Sequence, residues 1–152
     1  MPDFVVQKHR ASTLHYDFRL EIGDVLKSWA LPKGPSVDPA KKRLAIETED
    51  HALTYIHFEG VIEEGYGAGE VIIWDRGSYS CAGDPAGEYE KGDIDFILEG
   101  EKLKGRFRLI RMDKWSGKNR MWLLIKRLDE HSSQDDITRT RPGSVVSLRR
   151  ID

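Results

Sequence analysis

The strongest constraint in this chain is a two-residue period that recurs almost from one end to the other. In Leu14-His-Tyr-Asp-Phe-Arg-Leu-Glu-Ile22, the residues Leu14, Tyr16, Phe18, Leu20 and Ile22 face one way and His15, Asp17, Arg19 and Glu21 the other. That is the pattern of a half-buried strand. Phe4 to Lys8, Val25 to Leu31, Arg43 to Thr48, Tyr55 to Ile62, Glu70 to Trp74, Ile94 to Leu98, Leu103 to Arg111 and Met121 to Arg127 read as further strands, separated by Gly, Pro and Asp turn signals. Long helical periodicity is missing, and short helices fit only at Ala11 to Leu14 and Pro39 to Lys42. Hairpins are expected at Glu21-Ile-Gly-Asp-Val25 and Glu99-Gly-Glu-Lys-Leu103. About nine short antiparallel strands imply an all-β fold, a small closed or nearly closed barrel or a sandwich, because closure removes exposed strand edges.

A chain of 152 residues accommodates one such core and no second full domain. We divide it into a barrel domain, residues 1–128, and a polar segment, residues 129–152. The latter, beginning Asp129-Glu-His-Ser-Ser-Gln-Asp-Asp, carries few apolar residues and is expected to be mobile or loosely docked. No apolar run approaches the roughly 20 residues of a membrane span, and the N-terminus lacks a signal-peptide pattern, so the expected location is cytoplasmic and no membrane partner is expected. A single cysteine, Cys81, excludes an internal disulfide and a cysteine-rich zinc site. A formal charge of -2 argues against a protein that coats nucleic acid indiscriminately but leaves room for a local basic face. Trp29, Trp74, Trp115 and Trp122 fall in or beside apolar strand patterns and are read as core or rim residues.

The chemistry is concentrated on the polar face of the strand from Leu14 to Ile22. Residues two apart on a strand lie roughly 6.6 Å apart and project the same way, so His15 and Asp17 can lean onto one cation. Imidazole and carboxylate suit Mn²⁺ or Zn²⁺, and the guanidinium of Arg19, next in the row, can clasp a phosphate oxygen. His9 closes the first strand, where a tight return through Arg10 to Thr13 brings it towards His15 and completes a three-ligand set with open positions. His51 shares the parity of Arg43, Glu47 and Glu49, and a carboxylate beside a histidine fixes its tautomer or holds it as a cation. The ordinary alternative for each is a solvated strand face with incidental ion pairs, and a satisfied histidine at position 51. Gly65-Tyr-Gly-Ala-Gly69 precedes a strand rather than a helix and is read as a tight turn, not a phosphate cradle.

Phe4-Val-Val-Gln-Lys-His9, Leu14-His-Tyr-Asp-Phe-Arg-Leu-Glu21, Lys27-Ser-Trp-Ala-Leu-Pro-Lys-Gly-Pro-Ser36 and Phe58-Glu-Gly60 together resemble the 3′-phosphoesterase domain of the DNA ligase D family. Glu64-Gly-Tyr-Gly-Ala-Gly-Glu-Val71, Trp74-Asp-Arg-Gly77 and Trp122-Leu-Leu-Ile-Lys126 extend the resemblance over roughly residues 4 to 128, here read as a stand-alone chain. It implies a small β-barrel enzyme, dependent on Mn²⁺ with Zn²⁺ or Co²⁺ as alternatives, that heals 3′ ends of DNA or DNA–RNA primer-templates in end joining. Such an enzyme removes a 3′-terminal ribonucleoside and hydrolyses a 3′-phosphate to a 3′-hydroxyl. The resemblance implies His9, His15 and Asp17 as metal ligands and Arg19 and His51 as contacts to the scissile phosphate. Lys33, Arg43 and Tyr55 match substrate-contacting positions, and Glu21 and Glu49 supporting ones. A separate ligase, polymerase or Ku-like end-binding protein is the implied partner. The sequence departs from the pattern at His57, where an aspartate is expected. The competing expectation is a barrel that binds nucleic-acid ends or another phosphate ligand without catalysis.

Overall fold

The computed structural model describes residues 1–65 and 67–152. Its strands are β1 (Asp3–Arg10), β2 (Leu14–Ile22), β3 (Val25–Leu31), β4 (Arg43–Ala52), β5 (Gly60–Ile62), β6 (Gly69–Cys81), β7 (Asp93–Gly100), β8 (Lys104–Ser116) and β9 (Asn119–Lys126). They form one antiparallel sheet in the order β1-β2-β3-β4-β9-β8-β7-β6-β5. A further pairing of β1 with β6 closes eight strands into a barrel, leaving β5 as one extra strand. The all-β barrel expected from the alternation is therefore the observed fold.

Closure fixes which side chains fill the interior. Phe4, Val6, Phe18, Leu20, Trp29, Leu31, Trp74, Tyr79, Phe96, Phe107, Leu109, Trp122 and Leu124 form one core cluster. Trp29 and Trp122 meet edge to face at 5.4 Å, and the Trp122 indole N–H donates to Glu47 at 3.0 Å. Tyr89 donates to the same carboxylate, so a charged group enters the barrel only with two donors waiting for it. Trp115 is the one tryptophan outside, 56% exposed, with Arg120 lying 4.9 Å from its ring centre.

Three expectations are corrected. The strand read over Tyr55 to Ile62 is a 3-10 turn, Leu53–His57, followed by the short β5. The turn is favoured because a buried amide, that of Gln7, takes the Tyr55 and Phe58 carbonyls at 3.0 and 3.1 Å and curls the chain back over the barrel. The strand read over Glu70 to Trp74 continues to Cys81, since Gly77 permits the Glu99 carbonyl to approach where a Cβ would sit 2.0 Å away. Helices do not form at Ala11–Leu14 or at 39–42. They form at α1 (Pro85–Lys91) and α2 (Ile137–Thr140). Asp84 caps α1 by accepting from the Gly87 amide, Pro85 opens it and left-handed Gly92 ends it, so local signals set it without long periodicity.

Residues 129–152 lie along the barrel. Ile137 and Ile151 are buried, and the Trp74 indole donates to the Arg141 carbonyl at 2.8 Å. The β6 edge facing away from β1 is used by β5 over Gly69–Val71 and by β7 from Gly77 onwards. Between them the amide of Ile73 donates to Glu59 at 2.7 Å and its carbonyl accepts from the Val145 amide at 2.9 Å. The C-terminal segment thus fills a gap in the sheet that two strands leave open.

Asp75 is wholly buried and accepts the amides of Glu101, Lys102 and Leu103 at 2.9, 3.1 and 2.8 Å. Replacing Asp75 with Ala strands those amides and should cost about 3 kcal/mol or more in urea unfolding. A loss under about 1 kcal/mol would show that the turn after β7 is held by something else. Burial beside Trp74 pulls the Lys102 ammonium down to about 8, against the opposing pull of Asp75. A lysine whose pKa is lower in the folded state opposes folding while charged, so unfolding free energy should rise from pH 8 towards pH 10. A Lys102→Met variant should lose that rise.

Candidate metal and phosphate site

The inward half of β2 belongs to the core, so His15, Asp17 and Arg19 face outward. Across the β1 ladder they oppose His9, Gln7 and Val5, and directly paired residues share a face. Most of these outward groups are nevertheless buried, Arg19 4% exposed, Asp17 7% and His9 8%, with His15 half-buried. Their cover is the chain over residues 53–65 and 67–69, which crosses the outside of the barrel and is tied down by Gln7, Glu59 and Gly67. Tyr66, within the sequence Gly65-Tyr-Gly-Ala-Gly69, lies outside the described residues of this strap.

His9, His15 and Asp17 each offer a ligand atom, and those atoms lie within 4.8 Å of one another. His15 Nε2 is 3.2 Å and His9 Nδ1 3.5 Å from the same Asp17 oxygen. The outer nitrogens decide what the inner ones carry. His9 Nε2 lies 2.7 Å from the Gly67 carbonyl and His15 Nδ1 3.3 Å from the Thr13 carbonyl, contacts that place each neutral ring's proton on the outer nitrogen. Two imidazole lone pairs and a carboxylate oxygen then converge on one point, a donor set that fits a divalent cation of the Mn²⁺ or Zn²⁺ kind. Without a cation, the hydrogen bond to Asp17 raises His15 above its ordinary value. Burial pushes Asp17 upward, but His15, His9 and the Arg19 charge override it and hold the carboxyl well below the usual range.

Arg19 is fixed on several sides. Its Nε donates to Gln7 at 2.7 Å, its Nη1 to the Ser28 hydroxyl at 2.8 Å, and its Nη2 lies 3.5 Å from Asp17. Ser28 in turn donates to the Leu26 carbonyl at 3.1 Å. The Tyr55 ring sits 5.0 Å from the guanidinium carbon and 4.9 Å from the His51 ring, and Phe58 stacks on Tyr55. The guanidinium is a charge in a set orientation rather than a swinging arm.

His51 reaches this face by a route that simple alternation hides. In the β3–β4 ladder Ser28 pairs with Thr48 but Leu26 pairs with His51, so β4 carries one extra residue between them. The expected shared parity of Arg43, Glu47, Glu49 and His51 is therefore broken: Glu47 points into the barrel and His51 out, towards Arg19. Arg19 Nη1 is 3.1 Å from His51 Nδ1, and the Glu49 carbonyl is 3.0 Å from that atom. Nδ1 cannot accept and donate together. The charge-assisted bond from Arg19 is the stronger, which puts the ring proton on Nε2. Burial and then the Arg19 charge lower the His51 pKa, so the ring is neutral and offers an N–H through Nε2, not a second positive charge. The Glu49 carboxylate is exposed, and it is that residue's backbone carbonyl that meets the imidazole.

The remaining sequence-derived positions separate. Tyr55 joins the site. Glu21 lies on the same strand face but accepts the Asp3 amide at 2.9 Å. Lys33 is exposed in the β3–β4 connection, and Arg43 opposes buried Leu124 on the core side, its Nε without a hydrogen-bond partner among the described residues. His57 is exposed and lines a cavity of about 250 Å³ with Asp3, Ile56, Arg76 and Glu101, away from the three ligands. Gly69, at the end of the glycine-rich run, opens β6, and a Cβ there would lie 1.7 Å from the Arg10 carbonyl. Gln7 and Ser28 are functional-site residues that residue type and spacing alone do not mark. Gln7 carried a weak signal: an amide on the outward parity of β1, two residues before His9.

Imidazole and carboxylate groups converging beside a pinned guanidinium, on the outside of a filled barrel, fit the class of phosphoesterase domains, and the sequence comparison gives that class. The sequence model of the DNA ligase D 3′-phosphoesterase domain matches residues 7–111, and the chain belongs to that family. It is 54% identical over 152 residues to the multifunctional non-homologous end joining protein LigD of Pseudomonas aeruginosa, covering 97% of this chain and 18% of that protein. It is 48% identical over 118 residues to the multifunctional non-homologous end joining DNA repair protein LigD of Mycobacterium tuberculosis, covering 74% of this chain and 15% of that protein. With the LigD protein of Mycolicibacterium smegmatis the identity is 41% over 140 residues, 88% of this chain and 18% of that protein. The chain therefore spans less than a fifth of the length of these relatives.

Replacing Gln7 with Leu keeps volume but removes the Arg19 acceptor and the donor to two strap carbonyls. Urea unfolding should show a loss of about 3 kcal/mol, the sum expected for several stranded buried groups. A near-neutral result would mean that water replaces the amide.

Proposed function

We propose that this chain is a divalent-metal-dependent phosphoesterase that hydrolyses 3′-terminal phosphates on DNA primer-template ends, and that it also removes a 3′-terminal ribonucleoside. Mn²⁺ is the proposed ion, with Zn²⁺ and Co²⁺ as alternatives. The end-joining names of the relatives support this setting, with a ligase, polymerase or Ku-like end-binding protein as partner. The observation that carries the reading is the convergence of His9 Nδ1, His15 Nε2 and an Asp17 oxygen beside the Arg19 fork.

His9, His15 and Asp17 would hold the ion, which would supply Lewis acidity and make water more acidic there. The protein's own part is positioning and charge. Gln7 and Ser28 orient the guanidinium before substrate arrives, so the Nη2 N–H not turned to Asp17 meets a phosphate oxygen with little rearrangement. The His51 Nε2–H donates to a second phosphate oxygen, and Tyr55 shields both from bulk solvent. In phosphate release, water adds to phosphorus, the bond from phosphorus to the 3′ oxygen breaks, and that oxygen leaves as a hydroxyl with a proton from the water. In ribonucleoside removal the bond to the 5′ oxygen of the terminal nucleoside breaks instead, leaving the 3′-phosphate.

Incubation with Mn²⁺ and a 3′-phosphorylated primer-template should release inorganic phosphate, and EDTA should stop it. Asp17→Ala and His15→Ala should abolish release in saturating Mn²⁺ while far-UV circular dichroism stays unchanged. Wild-type turnover in either variant would remove the ligand assignment. Arg19→Ala should lower kcat on the order of a hundredfold; a change of only a few fold would place the guanidinium outside the chemistry. Binding of the primer-template that persists in EDTA, with no product in any metal, would favour a non-catalytic end-binding barrel.

A further inference from the structure

The strap over the site is held from two directions. From below, Gln7 takes the Tyr55 and Phe58 carbonyls. From the side, the next residue, Glu59, accepts from the Ile73 amide at 2.7 Å and from the Ser144 hydroxyl at 2.5 Å through one oxygen. Ser144 is 2% exposed and sits in a self-closed turn: its amide donates to the Arg149 carbonyl at 2.7 Å, its hydroxyl accepts the Val146 and Ser147 amides at 3.0 Å, and Leu148 returns its amide to the Ser144 carbonyl. The turn is pinned to β6 at both ends, by Val145 on the Ile73 carbonyl and by an ion pair between Arg149 and Glu70. Residue 144 lies far beyond the span 7–111 that matches the family, yet it is one side chain removed from the aromatic pair beside Arg19 and His51.

We propose that the C-terminal turn Ser144–Arg149 is a positioning element of the site, holding through Ser144 and Glu59 the strap that sets Tyr55 and Phe58 over Arg19. Neither residue touches the three ligands, so the device acts on how the phosphate end of a substrate is enclosed and leaves the ion's donors in place. The idea rests on the catalytic reading of the site only for its kinetic consequence. Its structural half stands alone.

The test uses the full chain with Glu59→Ala, Glu59→Gln and Ser144→Ala. The Phe58 amide, which donates to the Tyr55 carbonyl at 3.0 Å, reports strap opening by hydrogen exchange. Both Ala variants should exchange at least about fivefold to tenfold faster there, the size that the Ser144–Glu59 hydrogen bond common to both gives on its own. They should lose a similar factor in kcat/KM for phosphate release from a 3′-phosphorylated oligonucleotide, mainly through KM, with Mn²⁺ affinity unchanged. Glu59→Gln keeps an oxygen for both donors and should stay within about twofold of wild type. Wild-type exchange in both Ala variants, or Gln as impaired as Ala, overturns the proposal. Should Glu59→Ala fail to fold, Ser144→Ala carries the comparison, since it removes one hydroxyl. If the wild-type protein releases no phosphate, the proposed function falls, and exchange at Phe58 still decides the clamp.

Discussion

The pairing of β1 with both β2 and β6 is the constraint on which the rest depends. It closes the ring, removes the free edges and commits every side chain of those strands to one of two faces. An eight-stranded barrel is about wide enough for its own side chains, and here Phe18, Trp29, Trp74, Phe96, Phe107 and Trp122 fill it. No substrate can enter such an interior. Polar chemistry must sit on the outside, where strands alone give a surface too wet to hold charges firmly, so the fold adds a cover.

That cover explains how outward residues become nearly as buried as core residues. Under the strap, Asp17, Arg19, His9 and Gln7 lose water and gain one another. Removing solvent strengthens each ion pair and hydrogen bond while making every unpaired group costly. The arrangement answers the cost group by group: Arg19 has acceptors in Gln7 and Ser28 and a counter-charge in Asp17, and Gln7 spends its amide on two carbonyls. The three ligand atoms are the exception, because in their neutral tautomers the histidines present lone pairs to a carboxylate. A proton relieves that crowding on one ring, whereas a divalent ion would relieve it on all three groups.

Much of this was legible in the sequence. Alternation in β2 gives the fold class and the row His15, Asp17, Arg19, and the short return after His9 brings a third metal-capable side chain beside them. What alternation cannot show is a register shift. One extra residue in β4 turns His51 out towards Arg19 while Glu47 stays inside, and a reading that keeps parity through residue 51 pairs the histidine with the wrong groups. Nor does a period of two distinguish an extended segment from one curled by a distant partner: Tyr55 to Ile62 alternates acceptably, but the Gln7 amide, some fifty positions away in the chain, selects the 3-10 turn. Buried polar residues such as Gln7 and Ser28 are unremarkable by type, and only their non-local partners give them meaning.

The segment 129–152 shows the same limit from the other side. Its composition offers little apolar surface to repay ordering, and two isoleucines, Ile137 and Ile151, supply most of what is buried there. Its order comes instead from hydrogen bonds that the barrel leaves on offer: the Ile73 carbonyl in the gap between β5 and β7, the Glu59 carboxylate and the Trp74 indole. Each is a group that would otherwise face water at the rim of a dry region, so docking the segment dries the side of the strap as well. A polar segment can be ordered when the surface it meets is short of partners, and here that surface adjoins the site.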